Sequence, residues 1–396
     1  MARRQWRLGL CSGLWGIFGS IGVALAATAG VNALQTARYW VFIGTYTQRH
    51  SQGIYRCEWD IRTGSLSEPQ LAAKATHPSF LAIHPRGKYL YAVGELEEFA
   101  GKKTGVVNAF SIDLRTGQLE LLDQKPSGGA GPCHLVVDRT GSCILVANYG
   151  GGSVACLRIQ ADGRLQGPTT VIAHKGKGAN PRRQEAPHAH AIQLDGTNRL
   201  ALAADLGLDR VLIYRFFPDE ARLQPHEPAY ASVAAGSGPR HLAFHPHRPY
   251  VYVVNELSNT VTAFHWDAER GRLSEIQTIS TLPADFRGTS YAAEVAVHPS
   301  GRFLYASNRG YHSIALFSIA DDGRLTAAGY QSEGIDTPRH FAIDPTGRYM
   351  LVGNQAADNV CVFSIDARTG ALTPTGVRVG VPVPVCLQFL AVPAVQ

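Results

Sequence analysis

The residues best suited to chemistry in this chain are imidazole, guanidinium and carboxylate side chains near the ends of short apolar segments. They are His188, His190, Arg240, His241, Glu256, Glu294 and Arg309. Histidine and glutamate can transfer protons, and arginine can stabilise an anion. If these groups meet in one place, they suit a small anionic ligand with a polar reaction centre.

These residues belong to a unit that recurs seven times along the chain. Each copy starts with a short apolar strand that typically ends in His or Asp before a turn. The copies begin at Pro78, Pro132, Pro187, Pro239, Ala292, Pro338 and Pro384. Their spacing of about 46 to 55 residues is typical of β-propeller blades and unlike that of helical repeats.

The second half of each unit predicts three further strands. A second strand ends in a small or polar pair, such as Asn255-Glu256, and a third alternates apolar and polar residues, as in residues 259–264. A Thr-Gly or Asp-Gly turn then leads to a fourth strand. Each unit is therefore expected to be one four-stranded antiparallel sheet.

The two ends of the repeat region are expected to complete one blade together. Residues 53–59 resemble a third strand with no inner strand before it, and residues 384–390 resemble an inner strand with no second strand after it. Their union would remove the free sheet edges that invite aggregation. The predicted fold is all-β, a seven-bladed β-propeller over residues 39–392.

This topology brings polar residues to one mouth of the central channel, because the end of strand two lies beside the start of strand one. Aligned on the proline, the next two residues are Arg240-His241 in one copy and His188-Ala189 in another, with His190 deeper in its strand. The residues that break the repeat pattern are His190, Arg240, Glu256, Glu294 and Arg309. Since burying an unpaired charge is costly, a ligand is expected to be their partner.

Two loops add cations near this mouth. The insert over residues 174–188 contains Arg182 and Arg183 and could cover a carboxylate or phosphate. The segment 286–290, which contains Arg287, is a similar candidate. His241 recurs as His340 in the same context, so packing and ligand contact are both open for it. The residues that recur at the far end of the inner strands are typical of turn caps: His84, His245, His298 and Asp344.

Residues 1–29 have the layout of a signal peptide. Arg3, Arg4 and Arg7 precede an uncharged stretch over residues 8–29, which ends in small residues suited to cleavage. We expect export to the periplasm or the medium, and residues 3–7 partly resemble a twin-arginine signal. An uncleaved membrane anchor is the alternative; after cleavage no stable membrane insertion is expected.

Charge and cysteine content exclude several classes of function. The formal net charge falls from +6 to +3 without the three arginines of the signal, which does not suit a nucleic-acid binder. Six cysteines fall on predicted strands without Cys-x-x-Cys spacing, so we expect buried thiols. The sequence predicts no metal site and no cofactor, and we expect a monomer.

Several motifs resemble the propeller lactonase family, which includes propeller-type 6-phosphogluconolactonases and carboxymuconate cycloisomerases. They lie in segments 42–46, 187–190, 204–210, 238–241, 254–257, 286–288 and 305–309. The resemblance spans residues 39–392 and implies a seven-bladed propeller that opens or closes lactone rings without a required metal. The family's site of one His, two Arg and one Glu best matches His190, Arg240 and Glu256. The second Arg matches Arg309, with Arg287 as the next choice.

The reading favoured by this resemblance is hydrolysis of a sugar-acid lactone, such as 6-phosphogluconolactone, at a catalytic set of His190, Arg240, Glu256 and Arg309. Either Glu256 or His190 would take the proton from water. The expected substrate-binding residues are His188, His241, Arg287, Glu294, Arg182 and Arg183. The partner is a small anionic lactone or sugar acid. Two alternatives are a cycloisomerase of an aromatic-acid pathway and a non-catalytic binding propeller of the cell envelope.

Overall fold

Seven antiparallel sheets form the blades of a β-propeller in the computed structural model, which describes residues 38–392. The predicted all-β fold is therefore confirmed. The predicted signal peptide, residues 1–29, lies outside the described residues. Across residues 38–392, no helix has the length and apolar character needed to span a membrane.

The strands follow the repeat in chain order. The first blade contains β1 (Arg38–Thr45), β2 (Gly53–Asp60), β3 (Ser65–Leu66) and β4 (Gln70–Lys74). The second and third contain β5 (Leu81–Ile83), β6 (Tyr89–Gly94), β7 (Val106–Ile112), β8 (Leu119–Pro126), β9 (Pro132–Val137), β10 (Cys143–Asn148), β11 (Ser153–Ile159) and β12 (Leu165–Ala173). The fourth contains β13 (Ala189–Leu194), β14 (Leu200–Asp205), β15 (Arg210–Phe217), a 3-10 turn (Pro218–Glu220) and β16 (Arg222–Ser232).

The remaining three blades have the same order of strands. The fifth contains β17 (Pro239–Phe244), β18 (Tyr250–Asn255), β19 (Thr260–Asp267) and β20 (Arg272–Ser280). The sixth contains β21 (Tyr291–Val297), β22 (Phe303–Arg309), β23 (Ser313–Ile319) and β24 (Leu325–Gln331). The seventh contains β25 (Pro338–Ile343), β26 (Tyr349–Asn354), β27 (Asn359–Ile365) and β28 (Leu372–Gly380), and the last strand is β29 (Pro384–Ala391).

The last strand closes the ring as the sequence predicted. β29 pairs antiparallel with β1, with Trp40 opposite Leu390, and so supplies the inner strand of the first blade. Val392 N also donates to Arg38 O at 3.0 Å. The first blade differs from the predicted four-strand pattern at its outer edge, where the short strands β3 and β4 both pair with β2.

The apolar core lies between neighbouring blades. Trp59 of the first blade, for example, packs in one cluster with Leu351 of the seventh. Buried tyrosines on the second strands add a repeated polar link, because each donates its hydroxyl to a glycine carbonyl in the next blade. The pairs are Tyr91 to Gly163 (3.1 Å), Tyr252 to Gly323 (3.1 Å) and Tyr305 to Gly370 (2.7 Å). These contacts make each blade depend on its neighbour.

Inner strands carry a β-bulge near their first residue. In β17, Pro239 pairs with Asn255 and His241 pairs with Val254, so Arg240 has no opposite residue. The residues in this bulge position, which we call the bulge ring, are Cys133, His190, Arg240, Ala293, Arg339 and Val385. Such an extra residue locally breaks the ladder and re-aims its side chain, often next to an active site.

The bulges correct one part of the sequence alignment. In the fourth blade Ala189, not Pro187, pairs with the last residue of the second strand, Asp205. His190 therefore occupies the place of Arg240, and His188 lies before the strand. The alignment that placed His188 and Ala189 beside Arg240 and His241 was wrong, because the insert ends two residues later than the proline implies.

Candidate active site

The bulge ring lines a small cavity at the end of the central channel where the inner strands begin. We call it the mouth cavity. Its walls are formed by Tyr46, Ser79, Phe80, Glu95, Cys133, His190, Arg240, His241, Arg339, His340 and Val385. Five of the seven blades thus place a polar or titratable side chain in the wall of one cavity. Four of these side chains are in the bulge ring, and the fifth is Ser79, which occupies the equivalent place in the second blade. The predicted convergence of polar residues at one mouth is present in the structure.

Glu256 lies at the centre of the cationic wall. Its Oε2 atom accepts hydrogen bonds from Arg240 Nε at 3.1 Å and Arg309 Nη2 at 2.7 Å. Its Oε1 atom accepts one from Arg183 Nη2 at 2.7 Å. Burial by itself raises the pKa of Glu256, but the charges of the three arginines outweigh burial and lower the pKa to about 2. The carboxylate is therefore ionised and holds three guanidinium groups in place.

Arg240 is the most deeply buried of these arginines, with 2% of its surface exposed. Its Nη1 atom donates to Ala293 O at 2.7 Å, and its Nε atom to Glu256. The Nη2 group takes part in neither bond and is available to a ligand in the mouth cavity. Burial lowers the pKa of Arg309 to about 9 in spite of the charge of Glu256, so this side chain is still a cation at neutral pH.

A second polar wall faces the cavity from the first, second and seventh blades. Arg339 Nη2 donates to the Tyr46 hydroxyl at 2.9 Å, which in turn donates to Glu95 Oε2 at 2.9 Å. Ser79 Oγ also donates to Glu95 Oε2, at 2.5 Å. None of these four residues was among the predicted catalytic or substrate-binding residues. The available signal was the repeat itself, because Ser79 and Glu95 occupy the places of Arg240 and Glu256.

Below the bulge ring lies a layer of side chains that crosses the channel. We call this layer the plug; it consists of Phe80, His134, His241, Glu294 and His340. His134 packs against the Phe80 ring at a centroid distance of 4.1 Å. His241 Nδ1 lies 2.9 Å and His340 Nε2 lies 3.4 Å from Glu294 Oε2. All these side chains are also next to a second cavity of about 310 Å³, which continues along the channel axis.

The electrostatics of the plug keep its imidazoles neutral. Burial, reinforced by the charges of Arg240 and Arg339, lowers the pKa of His241 well below its usual range. Burial also lowers the pKa of His340 to about 4, and it raises the pKa of Glu294. Neutral imidazole has a free lone pair, so each of these rings can accept a proton or a hydrogen bond.

His190, a member of the bulge ring, is 5% exposed and lies next to the plug. Its Nδ1 atom lies 3.7 Å from Cys133 Sγ, and its ring centroid lies 5.2 Å from that of His241. Burial and the charge of Arg240 lower the pKa of His190 well below its usual range. His190 is thus a neutral imidazole that faces the cavity, with a thiol rather than a carboxylate beside it.

The insert over residues 174–188 is fixed over the mouth. His174 Nδ1 lies 2.5 Å from Asp205 Oδ2, and Tyr214 O–H lies 2.7 Å from His174 Nε2. This anchoring lets Arg183 reach Glu256. His188 stacks on Tyr149 at a centroid distance of 4.5 Å and forms the rim of the mouth.

Two predicted residues are not brought to the cavity. Arg182 is exposed, and Arg287 donates to carbonyl groups of its own loop, Ala284 O at 2.7 Å and Phe286 O at 3.0 Å. The remaining predicted residues lie at the mouth or in the plug: His188, His190, His241, Arg183, Arg240, Glu256, Glu294 and Arg309. Arg339 lines the mouth cavity together with Arg240 and is a stronger partner for it there than Arg287.

The cysteines and possible metal ligands determine whether the chain can hold disulfide bonds or a metal site. Within residues 38–392, all six cysteines are buried free thiols, and no group of three or more His, Cys, Asp or Glu side chains could hold a metal ion. Cys133 is the thiol that lies in the mouth cavity, where burial raises its pKa. A protonated thiol is a weak nucleophile.

A closed propeller with arginines, a buried carboxylate and neutral imidazoles at one mouth has the features of an enzyme of small anionic substrates. The chain belongs to the family described as lactonase, 7-bladed beta-propeller, whose model matches residues 40–389. The family resemblance inferred from the sequence is therefore confirmed, and the chain is a lactonase, a class of carboxylic-ester hydrolase.

Named relatives cover nearly the whole ring. A 6-phosphogluconolactonase of Bacillus subtilis is 38% identical over 354 residues, which are 89% of this chain and 99% of the relative. A 6-phosphogluconolactonase of Formosa agariphila is 31% identical, over 76% of this chain and 85% of the relative. The solved structure of a periplasmic gluconolactonase of Pseudomonas aeruginosa is similar with a TM-score of 0.84 and 33% identity, over 90% of this chain and 100% of the neighbour.

Proposed function

We propose that this lactonase hydrolyses the ring ester of a sugar-acid lactone, bound in the open mouth of the channel beside the mouth cavity, and releases the open-chain acid. The observation that carries this proposal is the guanidinium cluster around Glu256, next to neutral imidazoles in a buried cavity. The relatives named above are 6-phosphogluconolactonases and a gluconolactonase. Their names share the lactone of a sugar acid, which is the substrate class we assign.

Arg240 has the leading role in this proposal. As water attacks the lactone carbonyl carbon, negative charge develops on the carbonyl oxygen, and a preorganised guanidinium stabilises that charge. Glu256 holds the guanidinium groups of Arg240 and Arg309 near the cavity. No free energy is therefore needed to reorient these groups when the substrate binds. A carboxylate with a pKa of about 2 accepts a proton poorly at neutral pH, so Glu256 acts by positioning the arginines.

The remaining site residues bind and orient the substrate. His190 faces the cavity with a neutral ring, and His188 and Arg183 form the rim through which the lactone enters. A phosphate group, if the substrate carries one, would meet the exposed cations of the insert, Lys175, Lys177 and Arg182. His241 and Glu294 contact the reacting end from below.

We further propose that the enzyme works outside the cytoplasm, in carbohydrate metabolism of the periplasm or the medium. Two facts support this location. Residues 1–29 have the layout of a signal peptide. One solved structure that the chain resembles is that of a periplasmic gluconolactonase. Cell fractionation of an expressing bacterium checks the location; recovery of full-length protein in the cytoplasm alone would contradict it.

The hydrolysis is tested with a panel of lactones, phosphorylated and not, by proton release on protein that starts after residue 29. Arg240→Ala should lower kcat/KM about a hundredfold or more, as the loss of one oxyanion donor does. Arg287→Ala is the matched control, since Arg287 donates to carbonyl groups of its own loop, and should change the rate less than twofold. No turnover of any lactone by the wild type, or equal rates for both variants, would contradict the proposal.

The same assay tests whether a metal is needed. Glu256 already faces three arginines, so we expect EDTA to leave the rate unchanged. A loss of activity that added Ca²⁺ or Zn²⁺ restores would show that a metal takes part.

A further inference from the structure

One imidazole of the plug is held by a carboxylate and leaves its other nitrogen free. His241 Nδ1 lies 2.9 Å from Glu294 Oε2. Since a carboxylate only accepts hydrogen bonds, the proton of this neutral ring is on Nδ1 and the lone pair is on Nε2. The Nε2 atom is buried and has no hydrogen-bond partner in the part of the chain that the structure describes. This is the arrangement by which an acidic side chain orients a histidine general base.

The other imidazoles at the mouth lack this arrangement. His190 has the Cys133 thiol, not a carboxylate, at Nδ1. His134 Nδ1 accepts the backbone N–H of Ile192 at 3.4 Å, so its available nitrogen carries the proton. His340 also has a buried nitrogen without a partner among residues 38–392, its Nδ1 atom, but its Nε2 atom lies 3.4 Å from Glu294 Oε2, and only the 2.9 Å contact of His241 has hydrogen-bond geometry. The geometry therefore singles out His241.

Glu294 is itself fixed by the backbone of its bulge. Its Oε1 atom accepts Val295 N–H at 3.0 Å, and its own N–H donates to Ser307 Oγ at 2.9 Å. The bulge of β21 places Ala293 and Glu294 opposite the single residue Ser307. The carboxylate that orients His241 is thus held from a different blade, and its position does not depend on His241.

The space next to His241 fits a water molecule. The mouth cavity has a free volume of about 10 Å³, close to the room that one water requires. Its walls include Arg240 and His190 as well as His241. A water there would give Nε2 the donor that it lacks and would lie beside the guanidinium that the proposed function assigns to the carbonyl oxygen.

We propose that His241 is the proton acceptor for the attacking water, and that Glu294 is its positioning residue. As the water oxygen bonds to the carbonyl carbon, one water proton moves to His241 Nε2. The imidazolium that forms keeps its Nδ1 proton, which remains hydrogen-bonded to Glu294. When the bond from that carbon to the ring oxygen breaks, His241 returns the proton to the ring oxygen. The product is a hydroxy acid, whose carboxyl group then loses its proton to solvent. This inference rests on the proposed lactone hydrolysis.

The main test compares four variants of the plug. His241→Asn should lower kcat by about 10²- to 10⁴-fold, as loss of a general base does, with KM changed less than threefold. Glu294→Gln should lower kcat by a smaller factor, and the double variant should be no slower than His241→Asn alone. His134→Asn is the matched control, a buried histidine of the plug outside this pair, and should keep kcat within about fivefold. Melting curves establish that each variant is folded.

A second measurement needs no variant with altered activity. Nitrogen-15 NMR of the wild type should show His241 as the tautomer protonated at Nδ1 at pH 7. An Nε2-protonated ring would overturn the proposal, as would a folded His241→Asn variant that keeps more than a third of the wild-type kcat while Arg240→Ala is inactive. That last result would leave the proposed lactone hydrolysis intact, whereas a wild type without lactonase activity would end both.

Discussion

The two ends of the inner strands carry the same residue types and use them differently. At the end away from the mouth, histidines accept a backbone N–H at Nδ1 and bind a glycine carbonyl of the next blade through Nε2. The Nε2 distances are 3.0 Å for His84 to Gly141, 2.9 Å for His245 to Gly301 and 2.8 Å for His298 to Gly347. At the mouth end, His241 binds a side chain through one nitrogen and has a free lone pair on the other.

Aspartates at the far end show the same use of the backbone. Asp138 accepts the N–H of Cys143 at 2.8 Å, Asp195 that of Leu200 at 3.2 Å, and Asp344 that of Tyr349 at 2.9 Å. A polar side chain that the backbone satisfies completely has no capacity left for a ligand. Glu256 instead binds arginine side chains, and Glu294 binds the His241 side chain in addition to the Val295 N–H; the remaining donors and acceptors of those side chains face the cavity. The partners of a buried polar group, rather than its type, separate structural from functional positions here.

The largest effect is expected from the loss of a strand that has neither a polar residue in the bulge ring nor a histidine or aspartate at its far end. β29 carries Val385 in the bulge ring and closes the first blade. Deletion of residues 384–396 should leave no cooperative thermal transition near the melting temperature of the intact protein. The reason is that β1 of the first blade loses the strand with which it pairs.

The matched control for that deletion keeps the pairing and moves the chain ends. A circular permutant joins residue 392 to residue 38 by a short linker, since Val392 and Arg38 are hydrogen-bonded, and opens the exposed turn between Asp321 and Asp322. We expect it to melt as one unit. A deleted chain that melts within two degrees of the wild type would show that closure does not hold the ring together.

An intermediate effect is expected from acid at the mouth end. His340 has an ordinary pKa of 6.5 when unfolded and about 4 when folded, where burial, His241 and Arg240 outweigh the opposing charge of Glu294. Between these values the unfolded chain binds a proton that the folded chain does not, so stability falls as the pH falls. His340→Gln should therefore lose about 2 kcal/mol less unfolding free energy than the wild type between pH 7 and pH 5.

Urea unfolding at the two pH values measures this difference. Equal losses for His340→Gln and the wild type would mean that folding leaves the pKa of His340 unchanged, and the two ends of the inner strands would then differ less than the structure indicates.

The smallest effect is expected from a far-end histidine. His298→Ala removes the bond to Gly347 and leaves a buried carbonyl without its donor, which should cost about 1 to 3 kcal/mol of unfolding free energy. Because His298 lies at the other end of its strand from the mouth, kcat on the best lactone should stay within twofold. A drop in kcat comparable to that of His241→Asn would erase the distinction between the two ends.

Much of this molecule could be predicted from its sequence. The repeat period, the Gly-containing turns and the orphan strand at each end were sufficient for a seven-bladed ring closed by both ends. Arg240, Glu256 and Arg309 were also found, because their charges interrupt a pattern that is otherwise apolar or shared among copies. A repeat shows such interruptions directly, since strand order alone determines which rim each position faces.

The partners of these residues depended on the tertiary structure. The insert before β13 ends two residues later than Pro187 implies, and a shift of two residues leaves the same side chains facing inward, so the place of His190 could not be read from the prolines. Arg183 and Arg309 reach Glu256 from an insert and from the next blade, and Glu294 orients His241 across a blade boundary. Contacts between blades depend on how seven sheets close into a ring, which no single repeat encodes. The sequence by itself thus determined the fold and the polar rim, while ring closure decided which groups are paired and which nitrogen is free.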